Sequence, residues 1–540
     1  MAYAAKLRKE AGIVGLLYAS VGGIVGSGWL FGPARAAHEA GPLSIGSWLI
    51  GAIAVLLIAM VFSELVTLIP KSGALVHISR VSHGPFLGVI WSWILFLAYV
   101  TVAPVEVMAV LTYANNYLPG LIHPDTGLLT PLGLIVSIAL LGVFVALNFL
   151  VIRWVLLINT AATWWKLAVP AATVAVLMAM SFHPGNLAAN VGAAAGSAPA
   201  QHAGMFTAVA TSGVIFSYFG FRQAIDLAGE TPNPSRNIPI AVIGSVAIAF
   251  VLYVALQFAY LVAVDPADLA TGGWAGLRFP GSTGPFAAIA AAVGAAWWAV
   301  VLYIDAIVSP AGTAFIYITA SSRITMATGE TGSGPRQLAR INGHGVPWVA
   351  VLVTFVAGAL FFFPFPSWQK LVSYISSVTV LSYGIGPIVL LRLRTSMPHA
   401  QRPFRLWAAW FTAPAAFIVS NWIVFWTGLA TLNFLFGLLL LIFVGHLAYR
   451  YLLAGEQARR EPLGLARIWW LFPYFGGLWL LTRIGPAAVG GDGTLTLFEA
   501  MGAIALLSLV VMWLALASSE SAEQTVQAVQ EMLAEAAAVP

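Results

Sequence analysis

Along this chain long apolar runs alternate with short polar punctuation, and the runs approach the ~20 residues that a helix needs to cross ~30 Å of hydrocarbon. They fall at 12–38, 43–69, 85–118, 128–149, 154–180, 206–228, 238–263, 285–322, 346–365, 369–392, 406–428, 430–452, 466–484 and 496–517. The pattern predicts fourteen spanning helices. The run at 466–484 is the weakest, interrupted by Pro473 and followed by Pro486 and a Gly-rich loop, so twelve spans plus two is the alternative count. Polar punctuation then sets sidedness. Lys6, Arg8, Lys9, Arg80, Arg153, Arg236, Arg323, Arg336, Arg340, Arg392, Arg394, Arg402, Arg405, Arg450, Arg459, Arg460 and Arg467 fall on one side of the map. Arg278 and Arg483 are the clearest basic residues on the other, and 119–127 and 183–204 have none. Lys and Arg stay in cytoplasmic loops, so the N-terminus is expected inside, and an even number of spans returns the C-terminus there. The expected location is a bacterial-type inner (plasma) membrane, crossed many times.

Composition agrees: 60% of the 540 residues are hydrophobic and 8% are charged. A soluble domain devotes about a quarter of its residues to charge, so lipid is the expected solvent. The net charge of +5 then reports the loop bias, and no nucleic-acid partner is expected. With no cysteine there is no disulfide framework, thiolate metal site or cysteine nucleophile. Eight of the nine histidines (His38, His77, His83, His123, His183, His202, His344, His399) sit at segment ends or in loops without ligand-like spacing. No metal or cofactor is expected. The basic start, MAYAAKLRKE, runs straight into the first apolar stretch, as an uncleaved first span would. The Ala- and Glu-rich tail 518–540 reads as a short surface helix without chemistry.

Candidate chemistry begins in the first span, where Gly22, Gly23, Gly26 and Gly28 place four glycines within seven residues. Each weakens a helix by about 1 kcal/mol relative to alanine, so the stretch is suited to unwinding. Bare backbone is tolerated at membrane depth only where it is buried in protein or faces a cavity. The competing reading is a small-residue packing face between helices. The sixth span offers a partner: Phe216-Ser217-Tyr218-Phe219-Gly220-Phe221-Arg222 again puts a glycine, hydroxyls and a charge into apolar sequence, roughly 195 positions on. Two interrupted helices in corresponding positions fit an inverted repeat and point to the binding site of a secondary transporter.

These residues resemble the amino acid–polyamine–organocation superfamily of permeases over about 12–452. Gly22, Val25, Gly26, Ser27 and Gly28 resemble its Gly-x-x-(Ile/Val)-Gly-Ser/Thr-Gly signature. The stretch FSYFGFRQAIDLAGETPNPSRNIPIA resembles its Tyr-x-Gly-Phe, followed by a Glu-x-x-Asn-Pro-x-Arg-x-Ile-Pro loop at Glu230, Asn233, Pro234, Arg236, Ile238 and Pro239. Ser309-Pro310-Ala311-Gly312-Thr313 and Ser322-Arg323 extend the match. GSGWLF and GFRQAIDLAGE look most like the aspartate–proton symporter branch or general amino acid permeases. The resemblance implies an all-α polytopic membrane protein with a five-plus-five inverted-repeat core, discontinuous helices 1 and 6, and alternating access. On this reading 1–395 form the ten-helix core, 396–455 two peripheral spans, 456–517 further spans and 518–540 a cytoplasmic tail, in a monomer or dimer.

A substrate carboxylate is then expected on the N–H groups around Val25, Gly26, Ser27 and Gly28, where a half-helix N-terminus adds partial positive charge. Its ammonium would meet carbonyls near Phe216, Ser217 and Gly220, with Phe216, Tyr218 and Phe221 either shaping the pocket or simply packing. Ionisable residues within spans are functional suspects because charge is costly in lipid. Lys166 follows Asn159, Thr160 and Thr163. The resemblance implies a lysine where sodium-driven relatives bind a cation, and a buried amine of this kind can exchange protons. Its expected contacts are carbonyls near Gly22 and the hydroxyls of Ser309 or Thr313; the alternative is a snorkelling or ion-paired lysine. Glu106 either carries the proton or pairs with a cation. Glu64 looks structural, and Asp305 is ambiguous, because Tyr303 and Arg222 could satisfy it without any transport role. Arg222, where the family commonly has an acidic or neutral polar residue, either reads a second substrate carboxylate or pairs with Asp226 four residues on. Arg35, beside Glu39, is a weaker candidate for the same role.

The expected function is therefore proton-coupled uptake of an amino acid, with aspartate or glutamate leading. A permease or exchanger for neutral or cationic amino acids or polyamines is the alternative, and a sensor that binds without transporting the non-transport one. A channel would show rings of pore-lining charge, and a membrane enzyme a clustered nucleophile, base or metal set; neither pattern is present.

Overall fold

In the computed structural model, residues 12–70, 74–124, 126–150, 152–189, 198–270, 272–278, 284–342, 346–453 and 464–538 are described, with backbone alone at 74, 149–150, 152–161, 198–201, 230 and 535–538. Lys6, Arg8, Lys9, His344, Arg459, Arg460 and the side chains of Arg153, Asn159, Thr160 and Glu230 therefore lie outside the description.

Among the described residues the chain is helical, apart from an isolated bridge between Ile122 and Leu129. The first span is two helices, α1 (Ile13–Ile24) and α2 (Gly28–Ala40), followed by α3 (Ser44–Leu68). Gly28–Leu68 is 41 residues, about twice what a bilayer needs, and it turns at Gly41, whose φ of 53° only glycine adopts easily. The amphipathic α4 (Ala74–His83) leads to the third span, α5 (Pro85–Val100) and α6 (Val102–Ala114). Then come α7 (Pro131–Leu150) and α8 (Ile152–Met180). The sixth span is interrupted like the first. Its α9 (Ala198–Thr211) stops before Gly213 (φ 88°), a 3₁₀ turn covers Phe216–Phe221, α10 (Arg222–Asp226) resumes, and the two arms meet at 43°.

After α11 (Pro234–Ala263) and two short turns, α12 (Pro266–Leu269) and α13 (Gly273–Gly276), the eighth span is α14 (Pro285–Ala292) and α15 (Ala296–Glu330). The ninth is α16 (Trp348–Leu360) and the tenth α17 (Trp368–Tyr383) with α18 (Ile385–Ser396). Outside this core lie α19 (Ala409–Trp426), α20 (Leu429–Ala448), α21 (Leu465–Ile468), α22 (Leu471–Arg483) and α23 (Leu497–Ala517), then the terminal α24 (Ala522–Ala538).

All fourteen expected segments are helical, but among the described residues ten helices are long and apolar enough to cross alone, or eleven with the bent pair. The others are the broken first span and short helices such as α16, which has 13 residues. Packing follows the repeat. The first break lies on the sixth, α3 on α11, α6 on α15 and α7 on α16, so each of the first four spans pairs with the one five places later. Five crossings per unit start the second unit from the opposite face, which makes the repeat inverted. The tail is less peripheral than expected. Thr525 and Val529 of α24 are buried, and α24 packs on α4 and α18.

Glu64 shows how the core end of α3 is tied. Its carboxylate, inaccessible to solvent, takes a bidentate pair of bonds from Arg394 (2.8 and 2.6 Å), one from Leu406 N–H (2.7 Å), and an ion pair with Arg402 at 2.9 Å. Removing one member of such a buried network leaves charge uncompensated, at a cost of about 3 kcal/mol. Glu64→Ala is therefore expected to lower the melting temperature of the purified protein in detergent, and an unchanged temperature would contradict this account.

Candidate functional site

The interruption in the first span exposes backbone, and five other spans satisfy it. Val25 leaves helical geometry (φ −84°, ψ 87°) and α2 restarts behind Ser27. Ser27 N–H donates to Glu106 Oε2 of α6 at 2.8 Å. From α8, Lys166 Nζ donates to Gly22 O and to Thr313 Oγ1 of α15, each at 2.8 Å. Thr313 Oγ1 also lies 3.3 Å from Gly22 O and 3.4 Å from Val25 O, its one proton serving either. Tyr253 of α11 bridges the two breaks, its hydroxyl 3.0 Å from Ile24 O and 3.2 Å from Ser217 O. Trp368, at the start of α17, donates Nε1–H to Ser27 Oγ at 2.9 Å. The contacts to backbone N–H and C=O groups stand in for helical hydrogen bonds that lipid cannot supply, while Trp368 fixes the Ser27 side chain.

Glycine is required here for close approach. A Cβ on Gly26 would come 2.5 Å from Glu106 Oε1 and 2.9 Å from Thr313 Oγ1. One on Gly220 would run into the backbone of Gly23 and Ile24, and one on Gly28 into Ser217 Oγ. The two interrupted spans thus touch backbone to backbone. Glu106 and Lys166, 0% and 1% exposed, bring an acid to the face of Gly26 and an amine to Gly22 O and Thr313 Oγ1, and the N-terminus of α2 points its partial positive charge at the Glu106 carboxyl group. The cradle is enclosed. A lid of Phe31, Trp368 and Phe216 covers Ser27, with ring centroids at 4.9 Å (Phe31–Trp368) and 6.4 Å (Phe216–Trp368). Cavities of about 530 Å³ near His183 and Pro266 and about 250 Å³ between Tyr113, Tyr117 and Tyr303 lie elsewhere. Among the described residues no cluster suits a metal ion.

The structure brings Gly22, Val25, Gly26, Ser27, Gly28, Ser217 and Gly220 together with Glu106, Lys166 and Thr313. It separates others. Tyr218 faces away, its hydroxyl on Trp48 O (3.3 Å) and its ring against Trp48 and Tyr253. Phe221 packs on Tyr383 at 5.5 Å. The Ser309 hydroxyl donates not toward Lys166 but to Asp305 Oδ1 at 2.7 Å, one turn back on α15, while Arg222 is engaged elsewhere, on Tyr99, Tyr317 and Ala98 O. Arg35 lies about two turns along α2 from Ser27, where Glu39 is engaged by Thr211 at 2.9 Å.

Arg222 corrects a simpler expectation. Its guanidinium carbon sits 3.8 Å from the Tyr99 ring centroid and 4.8 Å from that of Tyr317, and Nη2 donates to Ala98 O at 3.2 Å. Asp226 is taken instead by the Tyr99 hydroxyl at 2.5 Å. The rings of two other spans hold the cation flat by cation–π attraction, which an intrahelical pair on a five-residue helix does not overcome. Thr313 and Tyr317 are four residues apart on α15, so Arg222 lies about one turn from the cradle. Its Nε and Nη1 make no hydrogen bond among the described residues.

Trp368 and Tyr253 escape a reading of the sequence. The chain has 20 Trp and 15 Tyr, nothing local distinguishes these two, and their partners are 341 and 229 residues away.

Residues 12–450 match the family model described as amino acid permease. The chain is 34% identical over 531 residues to the glutamate/serine transporter AimA of Bacillus subtilis (strain 168), covering 96% of this chain and 95% of that one. It is 31% identical over 483 residues to the aspartate-proton symporter of the same organism, covering 88% and 90%. Similarity to its branched-chain amino acid permease BcaP is 24% over 415 residues, covering 74% and 84%.

Gly26→Val puts a branched side chain where Glu106 and Thr313 leave no room, and misplacing a cradle by ~1 Å can cost ~100-fold in rate. The variant is expected to reach the membrane folded but to lose amino acid uptake by about that factor. Gly437→Val, with nothing within 4 Å of its Cβ, is expected to retain uptake. Equal uptake by both variants would overturn the placement of the site.

Proposed function

The chain belongs to the amino acid permease family and is an amino acid transporter, and we propose that it imports its substrate by alternating access, coupled to protons through Lys166. The observation that carries this reading is the Lys166 ammonium lodged against Gly22 O and Thr313 Oγ1, both at 2.8 Å, beneath the first-span break. A fixed positive charge there ties α8 and α15 to the break without a metal ion. Losing its proton weakens both bonds and frees the break to move, so protonation and conformation are linked. The substrate carboxylate takes the N–H groups at the start of α2, and its ammonium the carbonyls of the sixth-span break. The Lys/Arg bias of the loops supports cytoplasmic N- and C-termini in a bacterial inner membrane.

An acidic amino acid is the favoured substrate. Two similar transporters are named for glutamate or aspartate, and Arg222 keeps two uncommitted donors about one turn from the cradle. A neutral amino acid is the second reading, favoured by the sandwiching of Arg222 between Tyr99 and Tyr317.

Two measurements in proteoliposomes test these assignments. With an inward proton gradient and no sodium, wild-type protein is expected to accumulate labelled amino acid and Lys166→Ala to lose that accumulation. Accumulation by the variant that still follows the pH gradient would remove Lys166 from coupling. For the substrate, losing a desolvated charge partner costs ~2–5 kcal/mol, so Arg222→Gln is expected to weaken aspartate at least ~30-fold more than serine. An equal loss for both would favour the neutral reading and leave Arg222 as a brace between spans.

A further inference from the structure

We propose that Glu106 is a displaceable occupant of the substrate's own carboxylate seat, so that an amino acid loads only as Glu106 takes up a proton. The proposal rests on the reading of the cradle as an amino acid site and adds what controls its occupancy. The observation behind it is that the seat is already filled. Ser27 N–H, the donor at the start of α2, points at 2.8 Å to a carboxylate oxygen belonging to the protein itself. The other oxygen, Oε1, is buried and makes no hydrogen bond among the described residues. It stands 2.5 Å from the point where a Gly26 side chain would begin. A carboxylate with one oxygen on a half-helix N-terminus and the other unpartnered at the bare face of Gly26 occupies the place that a bound amino acid's carboxylate would take.

Two carboxylates cannot share one buried donor while both are ionised, because repulsion in a low-dielectric site far exceeds the value of one hydrogen bond. Transfer of one proton resolves the conflict. A proton from the aqueous phase adds to Glu106 Oε1, the Ser27 N–H passes from Glu106 to the incoming carboxylate, and the new O–H of Glu106 can donate to that same carboxylate. One anion replaces another beside Lys166, so the charge facing the ammonium is unchanged. The charged and titratable groups around this spot are few. Among the described residues Lys166 comes from α8, Asp305 from α15 and Tyr253 from α11; the 3₁₀ turn Phe216–Phe221 carries Tyr218, whose hydroxyl is turned away onto Trp48 O, and the α1–α2 break brings none. On α17, Lys370 is exposed, while Tyr374 and Tyr383 pack on Phe361 and Phe221. Thr313 Oγ1, bonded to Lys166 and 2.9 Å from the same Gly26 point, offers a path for the proton between Glu106 and Lys166.

The test is equilibrium binding of labelled aspartate, glutamate and serine to purified protein between pH 5.5 and 8, with proton uptake followed by a pH indicator in weak buffer. Wild type is expected to take up about one proton per amino acid bound, its Kd rising up to ~10-fold per pH unit at the alkaline end. Glu106→Gln keeps an oxygen that can accept from Ser27 N–H but carries no charge. It is expected to bind with a Kd that changes less than ~2-fold over the range and to take up no proton. A wild-type slope in Glu106→Gln, or binding by wild type without proton uptake, would overturn the proposal while leaving the transport reading intact. The wild-type measurement stands even if the variant does not fold. No binding of any amino acid by wild type at any pH would instead overturn the cradle as an amino acid site, and the proposal with it.

Discussion

A helix interrupted inside a membrane leaves N–H and C=O groups that lipid cannot bond, and the rest of this structure is arranged around one such interruption, at Val25–Ser27. Glu106, Lys166, Tyr253, Thr313 and Trp368, from five other spans, each give a polar atom to it or to its flanking carbonyls. The same groups that make the break tolerable are those that a small zwitterion would need. An unwound segment offers N–H to an anion and C=O to a cation at one depth, where a continuous helix offers neither.

The second constraint is steric. The two interrupted spans meet with Gly220 against Gly23 and Ile24, and Gly28 against Ser217, at separations that no Cβ would permit. Contact this close makes the pair a single unit, while Tyr253 pins both breaks from α11. Around that unit α3 packs on α11, α6 on α15 and α7 on α16, each early span against the one five places later. Away from the cradle, charge is held by different means. Glu64 has two arginines and a backbone donor, whereas Arg222 is held by aromatic faces and one carbonyl. The first surrounds one carboxylate with two cations and a backbone donor; the second keeps spare donors next to the site.

Periodicity and composition determined that this chain lives in lipid and where its helices run, because apolar length is a local property that burial in the protein does not alter. Four glycines in seven residues marked the first break, since glycine is costly in a helix and needs a reason. Lys166 and Glu106 were legible for a related reason: charge in an apolar run is too costly to be incidental. What only the tertiary structure decided is who meets whom. That Lys166 bonds Thr313 rather than Ser309 depends on which turn of α15 faces α8, a matter of rotation and axial register that sequence spacing leaves open. The same holds for Arg222, whose nearest carboxylate in sequence lost to Tyr99 and Tyr317, contributed by helices more than 90 residues away in either direction. Trp368 and Tyr253 carried no mark at all, because an aromatic residue is unremarkable in a membrane span until packing brings its one polar atom to the break, Trp368 to the Ser27 hydroxyl and Tyr253 to a freed carbonyl.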